Sequence, residues 1–293
     1  MRWSIVITVL SLAVCAGAQS QEVQKAAKGR ANPPPALGLH WAKGYAKRGG
    51  GSANMLWHNG AIMTSSVVQT IFWGTSWANT SFVNDKISGL DSWYTGFDNS
   101  NYAKASDEYT GTNGQVGPRV VYQGHQIDTT KASGGGNTST ILAEVCKVVA
   151  SPVANGYYPV YVDVKRQGSY CAYHSYGSCQ GTPVQFAFFF NLDGDAGCDP
   201  QDTRTVHSQG LAALANVSAH ELSEARTDPS NGGWYDSSGA ENGDKCSWTF
   251  NVPFVTFSNG STWKVQGEWS NNAYTSGTGY PNNSGQNGCL DGH

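Results

Sequence analysis

The sequence predicts an α/β (or α+β) domain built on a mixed sheet with flanking helices and stapled by disulfides toward its C-terminal region. Three observations carry this. Strand-like apolar runs alternate with segments of helical period after residue 55. Charged residues make up only 13 % of the 293 residues while aromatics make up 12 %, so a core is available and global disorder is excluded. Seven cysteines are present, and six of them, Cys146, Cys171, Cys179, Cys198, Cys246 and Cys289, lie downstream of the first export-like segment. The net charge of -3 and the scarcity of Lys, Glu and Leu exclude a polybasic nucleic-acid binder and a coiled coil.

The first element is a sorting signal. Arg2 precedes an apolar run from Ile5 to Val14, and Ala16-Gly17-Ala18 offers a small-x-small cleavage site. Residues 1–18 therefore read as a secretory signal peptide, with a lipoprotein signal at Cys15 as the lesser alternative. Residues 19–53 carry Lys25, Lys28, Arg30, Lys43, Lys47 and Arg48 against Glu22 alone, with Pro33-Pro34-Pro35 and Gly49-Gly50-Gly51. They read as a basic linker or a pro-segment, with Lys47-Arg48 as a processing site and a floppy arm as the plainer alternative. Residues 54–293 read as a single globular domain. No later run is long and apolar enough to span a membrane.

Within that domain Val67–Trp73 is a buried strand. Val83, Ile87 and Leu90 predict a helix from about Ser81 to Tyr94, weakened by Gly89. Arg119–Ile127 is strand-like, Thr138–Ala150 helical, and Tyr158–Val164 a strand. Val184–Asn191 is apolar on both faces, as a central strand would be. Val206–Arg226 is the longest helix, with Asp202 or Thr203 as its cap and Pro229 beyond its end. Short strands follow at Phe254–Phe257 and Thr262–Val265. Export implies oxidised cysteines, and Cys171 with Cys179 could close a local loop. Asn79, Asn137, Asn216, Asn259 and Asn282 begin glycosylation sequons.

The chemistry concentrates in Ser218-Ala219-His220-Glu221-Leu222-Ser223-Glu224, on the long helix. His220 and Glu224 stand at i and i+4, so they can bind one ion from adjacent turns. Glu221 stands one position round, where a carboxylate serves as general base toward metal-bound water. This is the zincin-like His-Glu-x-x-His arrangement with Glu224 in place of the second histidine, a swap that zinc tolerates. Further ligands are sought downstream, among Asp228, Asp236, Glu241 and Asp244; the last two would be pinned if Cys246 is bridged. His174, in Cys171-Ala172-Tyr173-His174, is another candidate ligand or transition-state donor. His207 lies over three turns from His220 and cannot share its site, and His58 and His125 read as structural. Asp193, Asp195 and Asp199 on a Gly-containing turn could hold calcium, although the spacing is not that of an EF-hand. No G-x-S-x-G elbow, phosphate loop or dinucleotide fingerprint occurs.

Trp57-His58-Asn59-Gly60 and the strand ending Ile71-Phe72-Trp73-Gly74 resemble elements of the Exordium-like, phosphate-induced secreted proteins. So do Cys171–His174, the His220–Glu224 helix with Asp228-Pro229, Trp234-Tyr235, and Glu241–Cys246. The resemblance implies an extracellular protein in which His174, His220, Glu221 and Glu224 belong to one site. The Pro-rich front and the Trp- and Asn-rich tail depart from that family, and its growth role is not carried over. The expectation is a secreted zinc endopeptidase acting on a protein or peptide. The alternative is a non-catalytic binder of extracellular glycan or protein, whose tail aromatics stack on the partner.

Overall fold

Alternation in the apolar runs resolves into six strands of one sheet: β1 (Leu37–Trp41), β2 (Ser66–Trp73), β3 (Val120–Asp128), β4 (Gly156–Lys165), β5 (Tyr170–Cys179) and β6 (Thr182–Asn191). The computed structural model describes residues 33–45 and 51–293. The signal-peptide reading, most of the basic segment and Lys47-Arg48 lie outside the described residues. The strand order is β1-β5-β6-β4-β2-β3. The pairs β3–β2, β2–β4 and β4–β6 are parallel, whereas β6–β5 and β5–β1 are antiparallel. The sheet is therefore mixed, as expected.

Parallel pairs require crossovers: helices supply those that lead into β3 and β4, whereas β4 reaches β6 by way of strand β5. Helix α1 (Lys86–Phe97) connects β2 to β3, and α2 (Thr138–Val148) connects β3 to β4. The helix expected over Ser81–Tyr94 is divided: a short turn, Thr80–Val83, precedes α1, and Asn84 between them has φ 47°. Gly89 in α1 has a packing reason, because a Cβ there would overlap the Leu211 side chain. Helix α3 (Gln209–Thr227) starts later than expected. Ser208 caps it by accepting from Leu211 N–H at 3.1 Å, while Asp202 is engaged with Arg204.

The core lies on both faces of the sheet. On β6, Phe188 stacks on Tyr173 toward α2, and Phe189 stacks on Tyr161, whose hydroxyl meets Ser218 of α3 at 2.7 Å. Neighbouring residues on a strand face opposite ways, so both faces are filled and the run is apolar throughout. The same period orients β5. Gly177 faces α2, where a Cβ would overlap Leu142, so His174 faces α3. The β5–β6 turn uses Gln180 and Gly181 at φ 53° and 81°, the positive values a two-residue hairpin requires.

Three disulfides form: Cys146–Cys179, Cys171–Cys198 and Cys246–Cys289. The local Cys171–Cys179 loop does not exist. Those residues stand near opposite ends of β5, roughly 27 Å apart at 3.3–3.4 Å per residue, and each pairs elsewhere. Within the segment read as linker or pro-segment, Leu37–Trp41 supplies the edge strand β1. Four of the five sequon asparagines have a local structural use. Asn79, Asn137, Asn259 and Asn282 each accept a hydrogen bond from the N–H two residues on. Asn216 is buried within α3, where it takes the Gln266 N–H at 2.8 Å. Among the described residues, no helix is long and apolar enough to cross a membrane.

Candidate metal centre

Helix α3 is buried from Gly210 to Thr227, so its polar side chains have little access to water. His220 and Glu224 share one face, with His220 Nε2 3.1 Å from Glu224 Oε1. Gln266 orients the histidine: its amide nitrogen lies 3.0 Å from His220 Nδ1 and donates to Gly243 O at 2.8 Å. That leaves Nε2 facing the carboxylates. Opposite α3 stands the short helix α4 (Asn242–Lys245), capped by Glu241. Asp244 Oδ2 accepts from Glu241 N–H at 3.2 Å, and its Oδ1 stands 3.8 Å from His220 Nε2. Asp244 N–H donates to Glu224 Oε1 at 3.0 Å. From β5, His174 Nε2 faces the two Glu241 oxygens at 3.2 and 3.3 Å.

Two candidate ligand sets result, His220–Glu224–Asp244 and His174–Glu224–Glu241. In each, one donor atom per residue lies within 4.8 Å of the others. Of the acids weighed as further ligands, Glu241 and Asp244 thus come to the site. Asp228 and Asp236 do not. Asp228 takes the N–H groups of Gly232 and Gly233 at 2.8 and 2.7 Å, closing the turn after α3. Asp236 organises its own loop through Ser238 and Ala240 and faces Lys245 at 3.4 Å.

The electrostatics fit a cation. Burial raises the carboxyls of Glu221, Glu224 and Glu241 well above the usual range, and neighbouring acids push Glu221 and Glu241 further. Asp244 is pushed up to about 7 by burial and the nearby Glu224. Burial also lowers His174 to about 3 and His220 to about 4, so both rings are neutral at physiological pH, the form that ligates metal. Glu224 Oε2 is buried without a hydrogen-bond partner, and His220 Nε2 is buried facing the Glu224 carboxylate at 3.1 Å. Unpartnered buried acceptors are costly, and a bound cation removes that cost. Histidine nitrogen with carboxylate oxygen suits zinc and other first-row divalent ions.

Glu221 is fully buried and stands outside both sets. The Asp turn does not resemble a calcium site. Asp193 pairs with Lys86 at 2.6 Å, Asp195 is clamped by Arg166 at 2.6 and 2.9 Å, and Asp199 accepts from Gln201 N–H at 2.7 Å. Those cations take the charge that calcium would have taken. His207 stacks on Trp263 and His58 on Tyr235, and neither histidine belongs to a candidate ligand set. His125 has the acidic neighbour that its sequence context hid, Asp91 at 3.0 Å.

Two residues of the centre escaped the sequence reading. Gln266 reaches His220 through tertiary structure alone, and no local pattern marks it. His40 is fully buried on β1, lies flat against His220 and has neither ring nitrogen hydrogen-bonded. A signal for it existed in Leu37-Gly38-Leu39-His40-Trp41, whose apolar residues alternate as in a strand. A cleft of about 640 Å³ opens beside the centre, lined among others by Gly38, Tyr235, Glu241 and Asp244.

Fold and centre together define a mixed α/β protein with a buried histidine–carboxylate cluster able to hold a metal ion. In comparisons with known proteins, no family model matches the chain and no curated protein matches it.

Proposed function

We propose that the protein is a secreted metal-dependent hydrolase, specifically a zinc endopeptidase. The observation that carries this reading is His220 Nε2, buried and turned toward the carboxylates of Glu224 at 3.1 Å and Asp244 at 3.8 Å beside the cleft. His220, Glu224 and Asp244 would hold the ion, which when bound would supply Lewis acidity toward a scissile carbonyl and acidify water. Glu221, one position round the helix, would accept the proton of the attacking water and return it to the leaving amine. Three disulfides and the lack of a spanning helix among the described residues fit an extracellular protein. The resemblance to Exordium-like proteins supports the same location.

Elemental mass spectrometry of the purified protein and of His220→Ala tests the centre, with a peptide-hydrolysis screen of Glu221→Gln beside it. Zinc in the wild type, its loss in His220→Ala, and inactivity with retained zinc in Glu221→Gln are expected. A zinc-free protein with an unaltered His220→Ala variant overturns the reading.

A second reading, a non-catalytic glycan- or protein-binding module, is favoured by one observation. Leu56 and Trp57 are 45 % and 40 % exposed on a two-stranded ladder with Trp234 and Tyr235, and Tyr235 lines the cleft. Stacking on a sugar face would use such a platform. Trp57→Ala then abolishes binding while Glu221→Gln leaves it intact.

A further inference from the structure

We propose that Glu224 bridges two metal ions, one held with His220 and Asp244 and the other with His174 and Glu241. The inference rests on the reading of this cluster as a metal centre and adds the number of ions and the ligands of each.

The two ligand sets share Glu224 and nothing else, and neither contains both histidines. One ion therefore takes one set and leaves the other histidine and carboxylate buried beside it. The two Glu224 oxygens also face different ways. Oε1 stands 3.1 Å from His220 Nε2. Oε2 has no partner and flanks, together with His174 Nε2, the point that a Gly38 side chain would occupy. A carboxylate presenting one oxygen to each of two histidines has the geometry of a bridge.

The spacings agree. Ligands about 2.0–2.1 Å from a tetrahedral ion lie roughly 3.3 Å from one another. His220 Nε2 to Glu224 is 3.1 Å, and His174 Nε2 to Glu241 is 3.2 and 3.3 Å. His220 Nε2 to Asp244 is longer, at 3.8 Å, and closes slightly around an ion. Helix α4 serves both sets at once: its cap residue Glu241 turns to His174, and Asp244, held by the Glu241 N–H, turns to His220.

The cluster also lacks any other cation among the described residues. Glu221, Glu224 and Glu241 are buried, and Asp244 stands half-buried beside them. Among the described residues, none of them forms an ion pair with lysine or arginine. Carboxylate-bridged pairs, about 3.5–4 Å apart, hold an attacking and a leaving oxygen together.

Manganese is the probe. The full-length protein is stripped with chelator and titrated with Mn2+, with bound metal measured by elemental analysis and coupling by electron paramagnetic resonance. Two Mn2+ per chain with an exchange-coupled spectrum are expected in the wild type, a readout that needs no variant. Glu241→Gln and Asp244→Asn, both near-isosteric, should each retain one uncoupled ion, and Glu224→Gln should retain none. One uncoupled ion in the wild type, lost in Asp244→Asn and indifferent to Glu241→Gln, overturns the bridge and leaves the one-metal hydrolase standing. Failure to bind Mn2+ or Zn2+ at all overturns both.

Discussion

His40 lies flat on His220, with ring centroids 4.1 Å apart and ring planes 5° from parallel. Trp248 covers its other face at 4.6 Å. A neutral imidazole with no hydrogen bonds is thus sandwiched between a candidate ligand and an indole. Burial, and after it the proximity of His220, holds its pKa well below the ordinary value. Its role is that of a plate fixing the ring beneath it. His40→Phe keeps the plate and should change stability by less than about 1.5 kcal/mol, as shape-conserving core changes do. His40→Ala leaves a void and should cost roughly 3 kcal/mol. Urea unfolding of the two variants measures this; equal losses would show that the ring's nitrogens matter more than its shape.

Gly38 is the other site-facing residue of β1. It has φ 46°, and a Cβ there would overlap Glu224 Oε2 and crowd the His174 ring. Backbone strain of about 1–3 kcal/mol adds to the overlap in Gly38→Ala. The expected outcome is a loss of at least about 3 kcal/mol in unfolding free energy together with loss of bound metal. Retention of metal at wild-type stoichiometry would mean that the strand can lift from the centre.

Disulfides should separate by function. Cys246–Cys289 closes a separation of 43 residues and ties down the end of α4, whose Glu241 and Asp244 face the histidines. Cys146–Cys179 closes 33 residues and joins α2 to the far end of β5. Chain entropy assigns each about 4 kcal/mol. Replacing both cysteines of either pair by serine should therefore cost similar stability. Only Cys246→Ser with Cys289→Ser should also weaken metal binding, by at least tenfold in a competition titration with a chromophoric chelator.

The chemistry was easier to read than the sheet edge that covers it. His220, Glu221 and Glu224 announce themselves because helical spacing is local. Glu241 and Asp244 were reached through their neighbour Cys246, a covalent constraint visible in the chain. β5 does not read as a strand in sequence: Cys171 and Cys179 suggest a loop, and Gly177 and the serines dilute its alternation. β1 has five residues between prolines and a basic stretch, and becomes a strand only by pairing with β5. His40 and Gln266 were lost with those long-range contacts. The Asp193–Asp199 turn shows the converse limit, since local spacing points to calcium while Lys86 and Arg166, distant in sequence, pair with Asp193 and Asp195.

Glu268 supplies the pH dependence. It is buried between Ser106 and Ser223, whose hydroxyls both donate to it. Burial raises its carboxyl from about 4.5 to about 7, against the pull of the buried Arg226. The folded protein then holds this proton more tightly than the unfolded chain. Its stabilising contribution is complete below pH 4.5 and is lost as pH rises through 7. The loss amounts to roughly 3 kcal/mol across that window. Glu268→Gln cannot titrate, so its unfolding free energy should fall less steeply between pH 4.5 and 7 than that of the wild type. Urea unfolding of the metal-stripped proteins at half-unit pH steps measures the difference. Parallel curves would place the proton elsewhere, with Glu268 ionised beside Arg226 throughout.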